Sequence, residues 1–319
     1  MAVSYLTKTE LDDFLHHSGN HIEPSVRSAL IDSLQHSGVF SDYPGDASKA
    51  VFQSGPFSGG SVAPGVQILD VSQSTTVETT SDLKAIILND AGGKRLDVIG
   101  GHNDVFIAMG KGSDSVNLYD YGNDTVYGGS GNDVIRGGHG NSSLCGGAGN
   151  DSIYGGSGND TLVGGSGNDY LEAGTGAQLL EGGSGNDILR DLSSGHSTLI
   201  GGDGNDTLIG VQGDVFEGGD GNDVFWVYGG ESGANSTLRG GDGNDTFYLQ
   251  THTGNDTIIG GAGSDTVDFA DRSSLDVTKV DVDEKTKSYT LHFEDSQTVV
   301  VSDVEYLHFT DGDVQLPKL

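Results

Sequence analysis

From Gly128 the chain repeats itself every nine residues: GGSGNDVIR, GGHGNSSLC, GGAGNDSIY, GGSGNDTLV, GGSGNDYLE, AGTGAQLLE and GGSGNDILR, ending at Arg190. Looser copies carry the pattern back to Asp104, Asp114 and Asp124 and forward to Asp206, Asp223, Asp245, Asp256 and Asp265. A unit this short cannot enclose a core. It must stack on its neighbours, so the period decides the architecture before any single element is assigned.

The residue types within one unit say how the stacking works. Glycines at the first, second and fourth positions permit positive φ, so the chain turns sharply and its carbonyls converge, and the Asp at position six adds a carboxylate to that turn. An apolar residue follows at position eight: Ile135, Leu144, Ile153, Leu162, Leu171, Leu180, Leu189, Leu208, Phe225, Phe247 and Val267. Between more polar neighbours it marks a short strand with one side chain inward. The expected fold is mainly β, a solenoid of stacked turns and strands with a short N-terminal helical segment and a C-terminal β cap.

Charge selects the partner. Asp and Glu total 47 against 15 Lys and Arg, a net charge of -32, which argues against nucleic acid and against anionic membranes as partners. Hard cations suit such a chain. Calcium takes six to eight oxygens in flexible geometry, which turn carbonyls and Asp carboxylates supply; magnesium demands a tight octahedron and fits less well. Cys145 is the only cysteine, so no intrachain disulfide or thiol metal cluster forms. No apolar run has the length of a signal peptide or of a transmembrane segment.

The pattern resembles the RTX family, whose unit G-G-x-G-x-D-x-U-x is a calcium-binding β-roll repeat. The resemblance covers residues 100–271. It implies that the solenoid is a parallel β-roll, that two nonapeptides complete one coil, that a calcium ion lies between loops i and i+2 on one edge, and that several ions are bound. The implied ligands are the repeat carboxylates and the carbonyls of Gly129, Gly131, Gly147, Gly149, Gly165, Gly167, Gly183, Gly185, Gly202, Gly204, Gly219, Gly221, Gly241 and Gly243. It also implies secretion, by a type I exporter that reads an uncleaved C-terminal signal.

Alternation over two edges exposes an asymmetry. The first edge holds Asp114, Asp133, Asp151, Asp169, Asp187, Asp206, Asp223, Asp245 and Asp265, with an Asp in every copy. The second holds Asp104, Asp124, Ser142, Asp160, Gln178, a stretch around Ser197, Asp214 and Asp256, and is broken by an insertion at 229–236. This reads either as a calcium-filled edge beside a calcium-poor edge free for a ligand, or as relaxed constraint on redundant sites. On the first alternative, loss of Asp160 costs little calcium and loss of Asp169 costs more. His139, His196 and His252 in second-edge loops read as solvated side chains, and no metal site is expected on His16, His17, His21 and His36 near the start, because Gly19 breaks the helix between His17 and His21 and no HExxH spacing exists.

The flanks are read as follows. Residues 1–39 form a helical hairpin, with helices over 7–17 and 24–37 and start signals at Thr9 and Pro24. Residues 40–65 are a linker, and strands in 66–99 cap the roll. Residues 272–319 make a C-terminal β cap, with VEYLHFTDGDVQL resembling RTX endings. No G-x-S-x-G elbow, HExxH helix or P-loop is present, so an enzyme is not expected. Two functions remain: a secreted structural protein that assembles with itself or with cell-surface polysaccharide, or a calcium-dependent adhesin or carbohydrate-binding module using the second edge and Phe225, Trp226, Tyr228 and Tyr248.

Overall fold

The computed structural model describes residues 2–17, 22, 24–36, 39, 50–54, 59–62, 65–88, 93–229, 234–250, 254–269 and 271–319. The chain divides into two compact units, Met1–Gly165 and Ser166–Leu319. Each is built from two parallel sheets visited alternately, so that successive strands of one sheet are separated by a strand of the other.

In the first unit, one sheet stacks Ala50–Ser54, Ile68–Val71, Ala85–Leu88, Phe106–Ala108, Thr125–Ser130 and Ser143–Ala148 in parallel. The other stacks Gly60–Ser61, Thr75–Glu78, Arg95–Ile99, Ser115–Tyr119, Val134–Arg136 and Ser152–Tyr154. The coils therefore begin well before the first clear repeat. Two expectations are corrected here: Ala50–Ser54 and Gly60–Ser61 are strands and not linker, and the 66–99 strands are coils in register with the repeats. Thr75–Glu78 was hidden by its polar residues, and Ala2–Leu6 adds an antiparallel edge to Ala50–Ser54. The rest of the expected linker includes 41–49, 55–58 and 63–64, which lie outside the described residues.

The inward residue of each strand meets its counterpart one coil on. Ile107, Val126 and Leu144 are in register in one sheet, and Val116, Ile135 and Ile153 in the other. All are fully buried. Burying one such side chain contributes about 1.5–3 kcal/mol, and the ladder collects that contribution at every rung.

Helix α1 (Lys8–His17) and helix α2 (Pro24–His36) lie on this unit. The first begins at a capping box centred on Thr7 and not at Thr9: the Glu10 N–H donates to Thr7 Oγ1 (3.2 Å) and the Thr7 N–H to Glu10 Oε2 (2.7 Å). Leu11, Leu15, Val26, Leu30 and Leu34 pack against Ile68, Ala85, Ile87, Phe106 and Ala108. Those sheet residues alternate with the inward ladder, so the helices cover the outer face. This explains why Ile68–Val71 and Ala85–Leu88 are buried throughout, where later strands alternate.

In the second unit, Leu180, Leu199, Phe216, Leu238, Ile258 and Val301 form one inward ladder. Leu171, Leu189, Leu208, Phe225, Phe247, Val267 and Leu307 form the other. Thr298–Ser302 and Tyr306–Phe309 add a last parallel coil. Antiparallel strands then end the stack: Ser288–Phe293 and Val277–Asp283 on one sheet, Gly312–Gln315 on the other. Reversal of direction stops further parallel addition, which is how an open solenoid end is closed.

Candidate metal centre

The first-edge loops share one construction in each unit. The backbone N–H of one Asp donates to Oδ1 of the Asp one coil later, from Asp114 to Asp133 (2.7 Å) and from Asp133 to Asp151 (2.7 Å) in the first unit. In the second unit the series runs Asp169, Asp187, Asp206, Asp223, Asp245 and Asp265 at 2.7–2.9 Å. It closes on a residue the repeat pattern did not reveal, since the Asp265 N–H donates to Glu305 Oε2 (2.9 Å). A rail of Asn side chains one residue earlier runs the opposite way, each N–H donating to the Asn one coil before it, as from Asn222 to Asn205 Oδ1 (2.8 Å).

This ladder uses only one oxygen of each carboxylate. Oδ2 of Asp133, Asp187, Asp206, Asp223, Asp245 and Asp265 is buried without a hydrogen-bond partner. A buried anionic oxygen without a donor is costly, and the usual remedies are a proton or a cation. Burial accordingly pushes the carboxyls up, Asp133 to about 8, Asp223 to about 7, and Asp151, Asp206 and Asp265 to about 6. The N–H donated to each Oδ1 opposes the shift without cancelling it.

The glycines bring a second oxygen to the same place. A Cβ built on Gly201 would lie 2.3 Å from Asp206 Oδ2 and 2.6 Å from the Gly218 carbonyl oxygen of the next coil. At Gly218 the corresponding distances are 2.3 Å to Asp223 Oδ2 and 2.6 Å to the Gly240 carbonyl. Carboxylate and carbonyl thus face one small cradle per coil, a pairing suited to a hard cation. Every glycine expected as a carbonyl ligand, from Gly129 to Gly243, takes positive φ. Among the described residues no group of three His, Cys, Asp or Glu converges, so a cation here depends on carbonyls as much as on acids.

The second edge is heterogeneous in a way the sequence showed only in part. Ser142 and Ser197 replace Asp in the ladder: the Asp124 N–H donates to Ser142 Oγ (3.2 Å) and the Gln178 N–H to Ser197 Oγ (3.0 Å). Asp214 is satisfied by the chain itself, with Oδ1 accepting from the Ser197 N–H (2.8 Å) and Oδ2 from the Val211 N–H (2.9 Å). Asp256 accepts from the Ser236 N–H (2.9 Å) and from Gln297 Nε2 (3.3 Å), a cap residue. Asp124 and Asp160, however, keep a buried Oδ2 with no partner, as on the first edge. The expected contrast between Asp160 and the first-edge carboxylates therefore has no basis in this geometry.

Two acids missed in the sequence complete that edge. Asp120 stands where the repeat has its second glycine and Asp191 where it has its first, and both are buried. Asp120 lies beside Asp124, which burial and then the Asp120 charge push up to about 8. An Asp in a glycine position was the available signal. Phe225 is fully buried in the inward ladder, whereas Trp226 and Tyr248 are in register on the outer face of the sheet and not on the edge. His252 and residues 230–233 of the insertion lie outside the described residues.

The family model of the RTX calcium-binding nonapeptide repeat matches residues 119–153, 140–171, 154–189, 192–216, 211–231, 232–251 and 248–271. No curated protein matches the chain. Among solved structures the chain is similar to a hyperactive, Ca2+-dependent, β-helical antifreeze protein from an Antarctic bacterium. The two are 19% identical, with 88% of this chain and 99% of that chain covered and a TM-score of 0.45.

Proposed function

We propose that this chain, whose residues 119–189 and 192–271 match the RTX calcium-binding nonapeptide repeat, is a secreted structural protein whose coils close when calcium binds. The observation that carries the reading is the recurring buried Oδ2 beside a glycine carbonyl of the next coil. In the proposed sites the repeat carboxylates, Asp114 to Asp265 on the first edge with Asp124 and Asp160 on the second, share ions with the loop carbonyls. Asp256 is left out, because Gln297 already serves its second oxygen.

Without a cation the carboxylates repel one another and each burial is unfavourable. At the low calcium of a cytosol the repeats then stay open, and a chain in that state passes an exporter readily. At extracellular millimolar calcium, sites of about 10⁻⁴–10⁻³ M affinity fill, and metal that binds only the folded form adds its binding energy to stability. Shared ions make closing cooperative. The rigid roll then acts without catalysis, as a surface-associated or self-assembling element. Among the described residues no helix is long and apolar enough to cross a membrane.

The test is calorimetric titration of calcium into chelator-stripped protein with circular dichroism in parallel. Uptake of several ions with a cooperative gain of β structure supports the reading. A β spectrum already complete in chelator, with no heat on adding calcium, refutes it. Calcium-dependent filaments or sheets in electron micrographs would bear out the assembling role.

A further inference from the structure

The outer face of the second unit's sheet that runs from the Tyr170–Glu172 strand to the Gly312–Gln315 strand carries one feature that calcium does not account for. Across its strands a single row runs Trp226, Tyr248, Asp268, His308 and Asp313, each in register with the next. The Trp226 and Tyr248 rings are 4.1 Å apart and 12° from parallel, so they stand face to face along the row. The second face of Tyr248 therefore looks toward the Asp268 strand. There the row drops from a ring to a short side chain before rising again to the His308 imidazole.

That drop is a cleft of about 300 Å³ lined by Tyr248, Asp268, His308, Asp313, Tyr306 and Thr266, with Thr246 beside them. It reaches the lower end of the size range of small-ligand pockets. Strands repeat at about 4.8 Å, which sets Tyr248 and His308 about 10 Å apart, room for one ring in contact with both walls. The floor is chemically incomplete: Asp268 Oδ1 is buried with no hydrogen-bond partner. His308 pairs through Nδ1 with Asp313, which leaves Nε2 as the other hydrogen-bonding atom of its ring.

From this we infer that the slot binds one pyranose unit of a glycan, with its apolar C–H face against Tyr248 and its hydroxyls on Asp268, His308 and Thr266. The lining offers an acceptor at the floor, a donor on one wall, and hydroxyls of Thr266 and Tyr306 that serve either way; a neutral polyol matches such a mixture. A guanidinium would satisfy Asp268 equally, but it would lie against His308, whose pairing with Asp313 favours the imidazolium. The inference is independent of the calcium reading, because none of these side chains belongs to the edge ladders.

Trp226 is the only tryptophan in the chain, so its emission reports directly on the stacked row. Calcium-loaded full-length protein is applied to an array of neutral oligosaccharides, and bound structures are then titrated in solution against Trp226 fluorescence. The wild type should be retained and show a saturable emission shift. Asp268→Asn, which keeps the side-chain shape, and Tyr248→Ala should each weaken binding about tenfold or more, the loss expected for one good contact. Tyr121→Ala, an exposed ring stacked with His139 in the first unit, should bind like the wild type. Should Tyr248→Ala lose its β spectrum, Asp268→Asn decides the matter alone. No retained glycan, or binding indifferent to Asp268→Asn, overturns the inference. So does an emission shift given by arginine ethyl ester and by no oligosaccharide, which would assign the slot to guanidinium groups. A chain that folds on calcium but holds no glycan refutes this inference and leaves the calcium reading standing.

Discussion

Asp223→Asn separates a cation ligand from a turn residue, because the two roles predict opposite behaviour in chelator. The side chain is fully buried; Oδ1 accepts from the Asp206 N–H (2.8 Å), and Oδ2 has no partner. Asn keeps the acceptor at Oδ1 and replaces the orphan oxygen with an amide that can donate toward the Gly240 carbonyl. Burial raises the Asp223 carboxyl from 3.8 to about 7, and at about 1.4 kcal/mol per pK unit its ionisation opposes folding at pH 7.5 by up to about 4 kcal/mol. Removing the charge should stabilise the metal-free roll by about 2–4 kcal/mol. The same change should lower the stabilisation that calcium adds, by about 2.7 kcal/mol for each ion lost when calcium is a hundredfold above its dissociation constant. Far-UV circular dichroism measures both, with urea titrations in calcium and trimethylamine-oxide titrations in chelator where the chain is open. Asp214→Asn is the comparison: both Asp214 oxygens are already occupied by backbone N–H groups, so the calcium increment should stay at the wild-type value. Equal losses for Asp223→Asn with and without calcium would mean that the residue only shapes its turn.

Acid should partly replace calcium. Carboxyls raised to about 8 at Asp133, about 7 at Asp223 and about 6 at Asp206 mean that the folded chain holds more protons than the unfolded one between those values and 3.8. Stability of the chelated protein is then highest below about pH 4 and is lost as pH rises through about 6–8, so its β signal should grow on acidification from pH 8 to 5. A signal that fails to grow refutes the assignment. Gly201→Ala should destabilise the roll by more than about 2 kcal/mol, since its Cβ meets Asp206 Oδ2 at 2.3 Å, while Gly101→Ala, with nothing within 4 Å, should be near neutral; urea midpoints compare them. Arg272 is buried in the cap, where it meets Asp295 at 2.7 Å, Gln297, and the face of Phe293 at 4.3 Å. Arg272→Ala should cost about 1–3 kcal/mol in the same assay, because it removes the partner of the buried Gln297 oxygen and the packing on Phe293, while the exposed Asp295 turns to water.

How much of this was legible follows from where each signal resides. The alternation of loops over two edges came with the family resemblance, in which two nine-residue units make one coil, and the Asp ladders at 18-residue intervals bear this out. The inward residues from Ile135 to Val267 were equally plain, since a single apolar side chain between glycine turns has nowhere else to go. The early coils were not, because Ala50–Ser54 and Thr75–Glu78 pair with their neighbours without any glycine signature. Glu305 and Gln297 were invisible for a related reason: they finish two ladders from positions 40 and 41 residues away in sequence.

The sequence by itself therefore determined the repeat, the solenoid, the acidity and the choice of a hard cation, all properties of a local unit multiplied. Tertiary structure decided which carboxylates carry an oxygen without a donor. Asp160 and Asp214 are the same residue on the same edge, yet a backbone N–H from Val211 satisfies the second oxygen of one and nothing reaches that of the other. It also decided that Tyr248, Asp268 and His308 share a row. Register between strands sets both outcomes, and register arises only when the coils are stacked.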